Sequence, residues 1–201
     1  MLVQSTLLSF LAAIVMVQGF STLQRPISLK RSLDVCFAVK DSSEVESYLT
    51  TNYIRFSSLL LKQETLWKRL READRYTILA PTVAAFDALG TQRWLQLQDP
   101  RNSETTEKIC AFHCINEPVS AQELFDCGGL VSLGGTLPVT RSVTGGVFGV
   151  GGREDGGVKV QGAKVLKTVE VANCIIHEVD SLVAPQVIWR FMDQLRIPFS
   201  K

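Results

Sequence analysis

YTILAPTVAAFDAL, residues Tyr76 to Leu89, carries four structural instructions in fourteen residues. Tyr76 to Leu79 are apolar or β-branched and read as a buried strand. Ala80-Pro81 stops that strand, because proline cannot donate to a ladder and restricts the residue before it. Thr82 stands where a helix N-cap belongs, and Ala85, Phe86 and Leu89 then recur at helical spacing. About ninety residues later, VANCIIHEVDSLVAP from Val171 to Pro185 reads as a strand of mixed burial. In it Ile175, Ile176, Val179 and Val183 surround His177 and Asp180, and Pro185 closes the segment.

In this order the two segments resemble the two signature boxes of the fasciclin (FAS1) family. The first box there reads T-x-F-A-P-T-[ND]-x-A-F and is matched by Thr77, Ala80, Pro81, Thr82, Ala85 and Phe86. The second reads A-S-N-G-V-I-H-V-I-D and is matched by Ala172, Asn173, Ile176, His177 and Asp180. Phe112-His113 stands in the place of a Tyr-His pair between the boxes. The resemblance runs from Ser43 to Pro185. It implies an α+β domain, a folded antiparallel β-sheet forming a sandwich-like wedge with several packed α-helices. Thr82, Phe86, Asn173, His177 and Asp180 are then structural motif residues. Cys174 occupies the glycine position of the second box, so a positive-φ glycine turn is not expected there.

The function implied by the resemblance is a non-catalytic, monomeric binding or adhesion module without cofactor or metal, contacting protein or glycan partners. In some animal members the Tyr-His region is implicated in integrin binding, which makes Phe112 and His113 the positions a carried-over contact would occupy. Phenylalanine removes the tyrosine hydroxyl, however, and Thr168-Val169 falls where the family places an Asp-Ile pair. With no Arg-Gly-Asp in the chain, a structural His113, paired like most buried polar groups, is the favoured expectation.

Composition narrows the field further. The 201 residues, 46% hydrophobic and 20% charged, suffice for one domain with a sizeable core plus appendages. A formal net charge of +1 and no basic run argue against a nucleic-acid partner. Residues 1–19 read as a signal peptide: Leu7 to Val17 is an apolar run too short to span a bilayer, and Gly19 with Val17 suits cleavage. Residues 20–40 read as a transit peptide or a disordered arm, since Phe20 to Leu33 carries Arg25, Lys30, Arg31 and hydroxyl residues but no acid. A signal peptide, then phenylalanine, then such a stretch resembles the bipartite leader of algae with plastids of secondary red origin. Two destinations therefore stand, secretion and the plastid, the latter including a role in assembly of a membrane complex.

Helical spacing opens the mature domain, with Tyr48, Leu49, Tyr53, Phe56, Leu59 and Leu60 on one face and Leu66, Trp67 and Leu70 on a second helix. Cys110, His113 and Cys114 form the constellation that could carry thiol redox or metal chemistry. On a helix the two thiols would share a face, and on a strand they would lie about 13 Å apart, beyond disulfide reach. The resemblance places this stretch on a strand. Eleven of fourteen glycines fall between Gly128 and Gly157. Their spacing fits neither a dinucleotide loop nor a P-loop, and the doublets separate short β-rich runs, so a meander is expected, with Thr144 to Gly157 as a mobile hairpin or loop. His177 and Asp180 are three apart on a strand and face opposite sides, which excludes a direct dyad. They are expected instead to satisfy backbone groups joining the box to the first helix. Residues 186–201 form a C-terminal helix and tail, whose stripe Val187, Ile188, Phe191, Met192 and Leu195 docks back on the domain or meets a partner.

Overall fold

The computed structural model describes residues 42–144 and 153–194, all within one folding unit, Cys36–Lys201. The leader, the Val147 to Val150 run and Leu195 lie outside the described residues.

Three helices come first: α1 over residues 42–52, α2 at Ile54–Leu60 and α3 at Glu64–Arg71. They bury the predicted stripe, including Leu49, Tyr53, Phe56, Leu60, Trp67 and Leu70. Strand β1, Tyr76–Pro81, follows and is buried along its whole length. Pro81 ends the strand rather than preceding its end: it is the last residue in register with β7, and Thr82 N–H continues to Val179 O at 3.1 Å. Thr82 then caps α4, Val83–Leu89, accepting from the Ala85 N–H at 3.1 Å, and Gly90 leaves the helix at φ 90°. Helices α5 (Thr91–Gln98) and α6 (Ser103–Phe112) complete the first helical group.

The rest of the chain is mostly sheet: β2 (Cys114–Ile115), β3 (Gly129–Ser132), β4 (Gly135–Thr144), β5 (Arg153–Val160), β6 (Ala163–Val171) and β7 (Cys174–Val179). Helix α7, Ala121–Asp126, precedes β3 and begins with a complete capping box between Ser120 and Glu123. The order across the sheet is β2-β1-β7-β6-β5-β4-β3. β3 to β7 form the expected meander, each pair antiparallel. The pair β1 and β7 is parallel, so the sheet is mixed at its centre, where the two boxes lie side by side: Ile78 faces Ile176 and Leu79 faces His177.

The sheet folds between β5 and β6. Those strands pair only at Lys159–Lys164 and Val160–Ala163, around the Gln161–Gly162 turn with φ of 51° and 90°. Two leaves result, β2-β1-β7-β6 and β5-β4-β3. Period-two alternation sends Tyr76, Ile78, Cys174 and Ile176 toward the helices and Leu79 and Val179 toward the second leaf, where Leu124, Leu137, Val139 and Val160 complete a second core. Each large side chain so buried contributes roughly 1.5–3 kcal/mol.

Helix α8, Gln186–Met192, docks through Trp189 and Met192, while Val187 and Phe191 stay largely exposed. The docking face is thus turned from the predicted stripe. Arg93 fixes that orientation by stacking over Trp189 and forming two 3.0 Å bonds to the Asp193 carboxylate, and the Gln96 amide donates to Met192 O.

Candidate functional site

The polar residues of the two boxes lie on adjacent central strands, and their side chains hold neighbouring segments in place. Thr77, fully buried on β1, donates its hydroxyl to Glu117 O at 2.7 Å and accepts from Val119 N–H at 2.8 Å. On β7, His177 sits beside it, with Nε2 at 2.8 Å from Val119 O and Nδ1 at 2.8 Å from the Thr168 hydroxyl. A carbonyl only accepts, so Nε2 carries the proton and Nδ1 receives the Thr168 O–H. Both backbone groups of Val119 are therefore held by side chains from the two boxes. His177 does satisfy a buried backbone group, but in the 117–119 segment before α7 rather than in the first helix. Asp180 accepts from Lys164 N–H at 2.8 Å and so ties the end of β7 to the start of β6, again not to the helix.

His113 closes a second link. Its Nε2 accepts from Val183 N–H at 3.0 Å, which leaves Nδ1 to donate to Leu79 O at 2.7 Å, and Phe56 packs 5.2 Å from the ring. The ring is fully buried, and burial lowers its pKa from 6.5 to about 4 against the raising effect of the Leu79 carbonyl. Burial likewise lowers the pKa of His177. Both imidazoles are neutral, in opposite tautomers, with every ring nitrogen occupied. Phe112 is also buried, beneath the β3–β4 turn, where a Cβ on Gly134 would come within 2.8 Å of the Phe112 ring and backbone nitrogen. Neither residue of the pair presents a surface to a partner. Among the other motif residues, Phe86 stacks edge-on to Trp94 at 5.2 Å, and Asn173 reaches Asp74 O.

The stretch around Cys110 is helix α6, and only Cys114–Ile115 is strand, which corrects the strand expected from the resemblance. The helical signal is present in the sequence: Thr105, Thr106, Ile109, Cys110 and His113 recur at four-residue spacing and all are buried. Cys110, Cys114 and Cys174 are free, buried thiols. Burial, with a smaller contribution from Glu107, raises Cys110 to about 12; burial and then the adjacent Cys110 and Cys174 thiols raise Cys114 well above its ordinary value. Such groups stay protonated and unreactive at neutral pH. Among the described residues no three His, Cys, Asp or Glu side chains converge at metal-binding distance.

The turn of the second box has no positive-φ residue at the glycine position, as expected. Its positive φ falls on Ala172, at 50°, and Cys174 is already in β7, so no glycine is needed at the latter position. Thr77, Thr168 and Tyr53 are the bracing residues that sequence reasoning left unassigned. Tyr53 donates to the Glu178 carboxylate at 2.9 Å, linking the α1–α2 junction to β7, and burial followed by that carboxylate raises its pKa.

The model of the fasciclin domain family matches residues 51–185. The chain belongs to the fasciclin family. The protein sll1483 of the cyanobacterium Synechocystis is 28% identical over 159 residues, covering 78% of this chain and 82% of its own. A structure of a FAS1 domain pair from the insect cell adhesion molecule fasciclin I aligns with a TM-score of 0.48 at 16% identity, over 66% of this chain and 45% of that one. In this fasciclin domain the polar residues of both boxes serve as braces between the central strands and the segments around them.

Proposed function

We propose that this FAS1 domain is a non-catalytic binding module, contacting protein or glycan partners from its surface. The observation that carries this is the commitment of the reactive groups. Both histidines of the chain spend all four ring nitrogens on structural bonds, and three of its thiols are buried and held protonated. These groups are thereby held in the interior, and the surface is left to meet a partner. Proximity labelling with the full chain fused to a peroxidase in its own cells tests this: a labelled protein set distinct from that of a fusion carrying residues 1–45 alone is expected, and identical sets would sink the reading.

A plastid destination is the second half of the proposal. It is supported by the basic, acid-free stretch after Phe20. A fluorescent fusion of residues 1–45 should enter the plastid and lose that import with Phe20→Ala. Secretion of both forms would assign the module to the extracellular side instead.

A further inference from the structure

The two leaves part between β5 and β6, and both strands bulge where they part. On β5 the register to β4 shifts between Val158 and Glu154, with Gly156 in the bulge at φ 73°. On β6 the register to β7 shifts between Val165 and Lys167, which makes Leu166 the extra residue, and its side chain is 52% exposed. Bulges end pairing and re-aim side chains, and they are common beside binding sites. Here they open a cleft of about 270 Å³ walled by Leu124 and Phe125 of α7, Gly156, Gly157 and Val158 of β5, and Val165 of β6. Arg141, stacked 4.6 Å over the Phe125 ring, holds one wall. A Cβ on Gly156 would meet nothing within 4 Å, so there is open space beside this residue.

The β6 edge beside this cleft has a defined chemistry. Across the two-residue turn Ala172-Asn173, Val171 and Cys174 are a hydrogen-bonded pair, as are Val169 and Ile176 two residues on. Thr168 and Glu170 alternate with them and direct their backbone N–H and C=O groups away from β7, toward the split. Unpaired groups at this repeat accept an added strand. The two faces of that edge differ. Val165 shares the face of Val179 and lines the cleft, whereas Lys167 shares the opposite face with Glu178 and is exposed. β6 carries two lysines, Lys164 and Lys167, against one carboxylate. The one carboxylate of β6, Glu170, lies 3.5 Å from Arg75.

We infer that the split between β5 and β6 is a docking groove for an extended acidic segment of a protein partner. The segment pairs its backbone with Thr168 and Glu170, places an apolar side chain in the cleft against Leu124 and Val165, and presents carboxylates on its other face to Lys167. This rests on the binding-module reading and specifies the surface that does the binding.

The test titrates the full chain, labelled with ¹⁵N, with the hexapeptide Glu-Val-Glu-Phe-Glu-Val, whose alternation matches the two faces. Binding should shift the amides of Gly156, Gly157, Thr168 and Glu170. N-methylating alternate peptide amides in one phase should abolish it and in the other phase leave it intact, because only one set faces β6. Lys167→Glu should weaken it about fivefold, the scale of an exposed charge pair. No shifts at ~1 mM peptide, where only the weakest specific binding escapes detection, or equal loss with both N-methylated forms, would overturn the groove. Shifts confined to another face would overturn it and leave the binding module standing. A concentration-dependent dimer protecting the same edge amides would assign the edge to a second copy and overturn the acidic partner.

Discussion

At the scale of single residues, the two histidines behave as neutral hydrogen-bond fixtures with a measurable pH signature. His113 has a folded pKa of about 4 against 6.5 in the unfolded chain, so between those values the unfolded state binds more protons and the folded state loses stability as pH falls. Its contribution is complete above pH 6.5, and the loss between pH 7 and pH 5 is ~2 kcal/mol from this group alone. Urea unfolding at the two pH values should show a loss smaller by about that amount in His113→Gln than in the wild type, the share of His177 persisting in both; equal losses would show that the ring is not the titrating brace. Thr77→Val makes a sharper case, because it keeps shape and removes both hydroxyl bonds. It leaves the Val119 N–H buried without its partner and should cost ~1–3 kcal/mol in the same measurement. The role of Thr77 was not legible in the sequence. A hydroxyl inside an apolar strand looks the same whether its partner is a neighbouring turn or a segment forty residues away. Thr82 was legible, since a cap bonds within its own turn and needs no tertiary information.

Among the elements, the contrast between α4 and α8 shows where reading by pattern succeeds. Helix α4 has its start, apolar face and glycine stop written locally, and the structure follows them. Helix α8 has apolar residues on two sides, and the choice between them lies in Arg93 and Gln96 of a different helix. Helix α6 was hidden by another cause: its buried threonines and cysteine do not look like a hydrophobic stripe, although they recur at the right period. The β3–β4 turn yields an element-scale prediction. Gly134 lies against Phe112 so closely that Gly134→Ala must push the turn off α6, and chemical denaturation should report a loss of ~1–3 kcal/mol. An unchanged midpoint would mean the turn moves freely. The meander was legible from glycine doublets and alternation. The parallel pairing of β1 with β7 was not, since neither strand's own sequence states which neighbour it takes.

For the whole molecule, the division into a committed interior and an available surface is open to a direct count of thiols. Cys110, Cys114 and Cys174 should resist a thiol reagent at neutral pH until denaturant is added, while among the cysteines of the described residues the half-buried Cys127 reacts first. Rapid labelling of Cys110 and Cys114 in the native protein would return thiol chemistry to consideration. The fold class and its two boxes were readable because each box bundles local signals. The braces were not, because they are contacts between segments that only the finished topology brings together. That topology sets an order of events. β1 sits between β2 and β7, and its parallel neighbour begins only at Cys174, so a growing chain holds a wholly buried strand with one side of its ladder empty until about ninety further residues have been synthesised. The centre of the sheet therefore closes only once both boxes are present in the same chain.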